Sequence, residues 1–218
     1  VSISGLSFFC SWSGGKDSAL ALYHALRDNG KARFLFTMLH EDGLRSRSHG
    51  LPVLLLEKQA QSLNIPLVTR AASWNDYEKV FTEELHRFKK LGVQAGVFGD
   101  IDLEEHRLWE EKVCQAASLS ACLPLWQRPR RELAEEFIDL GFTAVIVAVN
   151  HDVVDPDFLG REYNKDTLAD LERAGIDVAG EAGEFHTFVT GGPIFKEPIA
   201  IQTNRTVSSG NYSFLDWS

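Results

Sequence analysis

Apolar residues in this chain fall into two spacings that take turns. Residues 6–12 (LSFFCSW) are a short, aromatic-rich apolar run, the pattern of a buried strand. From Asp17 to Leu26 (DSALALYHAL) the apolar positions recur at helical spacing. Runs at 32–39, 67–70, 94–99 and 123–126 read as further strands, and those at 52–63, 76–91 and 103–117 as helices. Pro52 suits a first helical turn, and Gly92 suits a C-terminal cap. Such alternation predicts an α/β fold, a parallel sheet with helices on both faces. Ligands on these sheets sit at the carboxyl ends of strands. The loop after Trp12, the loop holding Arg45, Arg47, Ser48, His49 and Gly50, and the Gly99-Asp100 turn are therefore expected to line one rim.

Near residue 127 the pattern changes. A helix is expected at 131–140, a very apolar strand at 144–149 and a helix at 165–174, with a polar segment (Asp152 to Arg161) between the last two. Residues 180–218 are rich in Gly, Thr and Ser, with short alternating runs such as 199–202, and read as irregular loop and β structure. A first domain over 1–127 and a smaller C-terminal α+β domain over 128–218 are expected.

Composition narrows the classes of function. The chain has 218 residues, 44% of them hydrophobic, and a formal charge of −9. That acidic balance opposes general nucleic-acid binding through phosphate neutralisation. No apolar stretch approaches bilayer length, and the N-terminal residues lack a basic region followed by an apolar core, so a cytoplasmic location is expected. Cys10, Cys114 and Cys122 form no CxxC pair and read as buried reduced thiols. Of the five tryptophans, Trp109 reads as helix packing, whereas Trp126, at an expected strand end, is a stacking candidate.

Chemistry enters at residues 13–18, Ser-Gly-Gly-Lys-Asp-Ser, between the first strand and the first helix. Gly14 and Gly15 let the backbone approach an anion closely, and the helix N-terminus points N–H groups at it. Ser13 and Ser18 can bond phosphate oxygens, Lys16 can offset their charge, and Asp17 could hold a divalent cation beside them. A capped helix after a Gly-Gly turn is the plainer account of the same residues. The spacing fits neither a Walker A loop nor a dinucleotide fingerprint. Residues 181–188 (Glu-Ala-Gly-Glu-Phe-His-Thr-Phe) hold a second constellation: Glu181, Glu184 and His186 could bind a cation, orient an amine or move a proton. An exposed polar loop anchored by Phe185 and Phe188 is its plainer account.

The SGGKDS segment resembles the PP-loop of the N-type ATP pyrophosphatases, which cleave ATP between its α- and β-phosphates. Further segments resemble the diphthine–ammonia ligase branch of that superfamily: QAQSLNIPL from Gln59, GDI from Gly99, LPLWQR from Leu123, DPDFLGR from Asp155 and GEAGEFHTF from Gly180. The resemblance implies an adenine nucleotide alpha hydrolase-like, Rossmann-like fold. It implies adenylation of a substrate carboxylate by ATP with Mg²⁺, then amide formation with ammonia, releasing AMP and pyrophosphate. The family's acceptor is a modified histidine on an elongation factor. On this resemblance Ser13, Gly14, Gly15, Lys16, Asp17 and Ser18 bind the ATP phosphates, and Gly99 and Asp100 lie close to the nucleotide or its metal. Gly160, Arg161, Glu181, Gly183, Glu184 and Thr187 build the acceptor side. Lys16 and Arg161 offset transition-state charge, while Glu184 or His186 orients or deprotonates the ammonium. Where the family usually has GEGGE, an aromatic residue, Glu and Thr, this chain has Ala182 and His186; Glu105-His106-Arg107 stands where Tyr-Gln-Arg is usual. A related ligase with another carboxylate acceptor and a nucleotide-binding sensor without chemistry are the rival readings. Missing paired cysteines oppose a tRNA-thiolating role. The oligomeric state is left open by the sequence.

Overall fold

The structure, a computed structural model, describes residues 2–47, 49–201 and 205–217. Ser48 of the expected rim loop and Gln202 of the expected 199–202 run lie outside the described residues. The chain forms two compact units: residues 1–13 with 17–127, and residues 14–16 with 128–218.

In the first unit, strands and helices alternate as β1 (Ser7–Ser11), α1 (Lys16–Arg27), β2 (Lys31–Leu39), α2 (Val53–Leu63), β3 (Leu67–Ala71), α3 (Tyr77–Lys90), β4 (Ala95–Val97), α4 (Glu104–Ala116) and β5 (Ser120–Cys122). The five strands pair in parallel in the order β3-β2-β1-β4-β5. Building runs outward from β1 to β3, then crosses back to β4. Right-handed crossovers in those two directions put α1 and α2 on one face and α3 and α4 on the other. α3 indeed packs on α4. The reversal between β1 and β4 makes the crevice at their carboxyl ends the topological switch point, where such sheets take ligands.

Under α3 and α4 lies a phenylalanine core. The Phe9 ring on β1 has its centroid 5.3 Å from Phe88, 5.8 Å from Phe98, 6.1 Å from Phe36 and 6.4 Å from Phe81. A Cβ on Gly96 would stand 2.6 Å from the Phe9 ring, so β4 takes a glycine where that ring crosses it. Trp109 is packing, as its helical spacing implies: it lies against Tyr77 and Phe81 and donates its indole N–H to Glu78. The three cysteines are buried thiols outside any disulfide.

The strand expected at 123–126 is instead a turn, and β5 precedes it. β4 offers only Ala95, Gly96 and Val97 as partners, for Ser120, Ala121 and Cys122, so pairing ends there. Pro124 has no N–H to extend a ladder, and the Trp126 N–H closes the turn on the Leu123 carbonyl at 3.2 Å. Trp126 therefore does not sit on a strand end; the Arg107 guanidinium covers its ring at 5.4 Å.

The second unit contains α5 (Arg130–Asp139), β6 (Thr143–Asn150), α6 (Lys165–Arg173), β7 (Phe185–Gly191), β8 (Arg205–Ser209) and β9 (Tyr212–Asp216). Its sheet is antiparallel, in the order β7-β6-β9-β8. β6 is central and its apolar run is almost wholly buried. The last stretch is more regular than expected, since it supplies three of the four strands. β7 (FHTFVTG) shows no clean alternation because Phe185, Thr187, Phe188 and Val189 are all buried. Among the described residues, no helix is long and apolar enough to cross a membrane.

Candidate active site

The loop at 13–18 leaves β1 through a residue anchored by buried neighbours. Trp12 is buried and donates its indole N–H to Gln59 at 2.9 Å, while its carbonyl accepts from the Thr37 hydroxyl at 2.5 Å. Gly14 then turns at φ +82°, a conformation that a side chain would strain. α1 begins at Lys16, with Asp17 in its first turn. Ser13 and Ser18 join hydroxyl to hydroxyl at 3.1 Å across the turn. After β4 the chain meets this helix start. A Cβ on Gly99 would lie 2.8 Å from the Asp17 carbonyl carbon and 2.9 Å from the Ser18 nitrogen. Asp17, Ser18, Gly99 and Asp100 are thus brought together at the switch point of the first unit.

Asp100 is tied into α4. His106 Nδ1 lies 2.7 Å from its Oδ1. Burial opposes its ionisation, but hydrogen bonds from His106 and Glu110, with the charge of His106, outweigh burial and hold its carboxyl below the usual range. Glu110 behaves oppositely. Burial, then the hydrogen bond to Asp100 and the Asp100 charge, push it up to about 11, so it is a neutral acid at neutral pH.

Gly14, Gly15 and Lys16 pack with the second unit, against β7 and the turn before it. The Val189 N–H donates to the Gly14 carbonyl at 2.9 Å, and the Lys16 N–H donates to the Thr187 hydroxyl at 3.1 Å. The Lys16 ammonium donates to the Ala179 carbonyl at 2.5 Å and lies 6.0 Å from the Tyr163 and Phe185 ring centroids. The turn itself is built by glycines. Gly180 and Gly183 both have positive φ, and the Tyr212 hydroxyl donates to the Gly183 carbonyl at 2.6 Å. Glu184 folds back to accept from the Ala182 N–H at 2.9 Å. His186 stacks on Tyr212 at 6.0 Å, and burial, then the nearby Lys16 charge, lower it to about 4. It is a neutral imidazole at neutral pH. Glu184, His186 and Thr187 are thereby gathered with Gly14–Lys16.

Arg161 and Glu181 have other partners. Arg161 bonds Asp170 on α6 at 2.5 Å and lies over the Phe158 ring at 4.9 Å, so its guanidinium is engaged by a carboxylate and a ring outside the 180–187 stretch. The Glu181 N–H donates to Asp177, which also takes the Arg130 guanidinium at 2.6 Å. Among the described residues, no three His, Cys, Asp or Glu side chains are grouped as metal ligands. Sequence reasoning missed Glu110 and Tyr212. Glu110 carried a signal, because it falls in the apolar stripe of α4 with Val113, Cys114 and Ala117. Tyr212 carried none, since its partner lies 29 residues away.

Comparison with known proteins covers both units. The family model described as the diphthamide synthase N-terminal domain matches residues 8–121, and that described as the diphthamide synthase C-terminal domain matches residues 129–217. A rat protein named diphthine–ammonia ligase is 27% identical, over 89% of this chain and 82% of its own length. A human protein of the same name is 29% identical, over 70% of this chain and 64% of its own length. A solved structure from Methanocaldococcus jannaschii, described as a predicted subunit of tRNA methyltransferase, aligns at a TM-score of 0.49 with 15% identity, covering 89% of this chain and all of its own.

Proposed function

Because the chain belongs to the diphthamide synthase (diphthine–ammonia ligase) family, we infer that it is an ATP-dependent ligase that joins ammonia to a substrate carboxylate. The observation that carries the reading is the grip of β7 and its preceding turn on Gly14–Lys16. It ties the loop suited to ATP phosphates to the segment suited to the acceptor. In the first step a carboxylate oxygen attacks the α-phosphorus and pyrophosphate leaves. In the second, ammonia attacks the acyl carbon, AMP leaves, and the nitrogen loses a proton.

The chain's own residues supply position and charge. N–H groups at the start of α1 and the Lys16 ammonium face charge growing on the phosphates. Mg²⁺, bound with ATP, would neutralise phosphate charge. The Asp17 carboxylate, in the first turn of α1, suits it, because that ion keeps waters and phosphate oxygens and needs only one or two protein carboxylates. A neutral His186 can accept a hydrogen bond from an ammonium N–H, but an imidazole titrating near 4 is too weak a base to take that proton at neutral pH. We assign His186 to orienting the nitrogen, with Glu184, two positions before it, for the proton. The acceptor is proposed to be the family's modified histidine on an elongation factor.

The test is nucleotide separation after incubation with Mg²⁺, α-labelled ATP and ammonium, with and without a diphthine-bearing elongation factor. AMP and pyrophosphate formed only with that acceptor support the reading. ATP bound but never cleaved with that acceptor or any other carboxylate overturns the ligase reading. Cleavage with another carboxylate alone transfers it to a different acceptor.

A further inference from the structure

Asp100 is approached from one side by two residues of α4. His106 and Glu110 are four positions apart and so share a helix face. His106 is exposed and meets one carboxylate oxygen at 2.7 Å. Glu110 is only 4% exposed and hydrogen-bonds the same carboxylate. Two carboxylates cannot share one hydrogen bond, because neither has a proton to donate. One of the two must therefore carry a proton; burial and the Asp100 charge raise Glu110 while His106 holds Asp100 low, which puts the proton on Glu110 and the negative charge on Asp100. Its own Oε2 is buried and meets no hydrogen-bond partner among the described residues, which a carboxylate would tolerate far less than a neutral acid. The charges acting on Glu110 agree. Asp100 in the turn after β4 and the neighbouring Glu111 on α4 are acidic, Tyr77 on α3 and Cys114 on α4 are neutral, and Arg47, from the loop after β2, acts by its charge on Tyr77. Gly99, immediately before Asp100, abuts the start of α1, so the direction of the Asp100 carboxylate is set beside the phosphate loop.

We propose that Glu110 and His106 are positioning residues that clamp the Asp100 carboxylate between a neutral carboxyl donor and an imidazole donor, presenting one fixed acceptor edge to the bound nucleotide. The role toward the nucleotide rests on the ligase reading above; the clamp itself does not. Asp100 keeps lone pairs beyond those two bonds, enough to accept from a hydroxyl or amine of the ligand.

Two measurements test it on the full chain. The first is the carboxyl ¹³C signal of Glu110, assigned by its loss in Glu110→Gln and followed from about pH 5 to about pH 8. A protonated signal throughout is expected; an ionised one overturns the clamp. In Glu110→Leu the Asp100 signal should titrate at higher pH than in the parent, and an unchanged Asp100 titration also overturns it. The second is ATP binding by calorimetry, with melting temperature as the control. Glu110→Leu should weaken ATP about tenfold without lowering the melting temperature, and Glu110→Gln, whose amide still donates, should recover most of that loss. Equal ATP affinity in all three proteins overturns the positioning role while leaving the ligase reading intact. A parent that binds no ATP sinks the ligase reading, and the carboxyl signals still decide the clamp.

Discussion

Lys16 combines two roles that single substitutions can separate. Its backbone N–H holds Thr187, and its ammonium reaches Ala179 beside two aromatic rings. Lys16→Ala keeps the first and removes the second, so the fold should persist while AMP formation falls by about a hundredfold or more. Rates measured at saturating acceptor, with circular dichroism as a control, check this. His186 is predicted to leave a mark on stability. Its folded-state value is lowered to about 4 from an ordinary value near 6.5. Between those values the unfolded chain binds a proton that the folded chain refuses. The contribution of neutral His186 is therefore complete above about pH 6.5 and is lost as pH falls toward about 4. Urea unfolding across that window should show a smaller acid loss for His186→Asn than for the parent. Equal slopes would refute an imidazole held neutral by the fold.

At the scale of elements, two close approaches carry the first unit. A methyl group at Gly99 would press on backbone atoms of Asp17 and Ser18, which cannot rotate aside. Gly99→Ala should cost about 1–3 kcal/mol and weaken ATP as the start of α1 shifts. A variant with unchanged melting and unchanged ATP affinity would show that the turn after β4 does not set α1. Phe9 touches four other phenylalanines between the sheet and its helices. Phe9→Ala should therefore destabilise by about 3–5 kcal/mol, read as a lower urea midpoint. These elements differ in how visible they were beforehand. β1, α1, β2 and α3 announce themselves through local periodicity. β5 was misplaced because Leu123 to Trp126 is as apolar as a strand, and only the three-residue length of β4 ends the pairing at Cys122. β7 lacked alternation because its pairing with β6 sits in a sheet that buries residues of both parities.

At the scale of the whole molecule, residues 14–16 fold with residues 128–218, not with the rest of the N-terminal stretch. A chain ending at residue 127 loses the partners of the Gly14 carbonyl, the Lys16 N–H and the Lys16 ammonium. It should bind ATP at least tenfold more weakly than the full chain, and titration calorimetry decides it. Undiminished binding by the shortened chain would mean that the loop organises itself. The sequence by itself determined the alternation that makes a parallel sheet, the strand–glycine–helix turn at Ser13 to Ser18 and the family's segments in their order. Each is a local pattern, written in neighbours a few residues apart. Only the tertiary structure decided the engagement of Arg161 by Asp170, the proton on Glu110 and the neutrality of His186. Those depend on burial and on partners distant in the chain, and a residue's type does not reveal which charge it will meet or how much water it will lose.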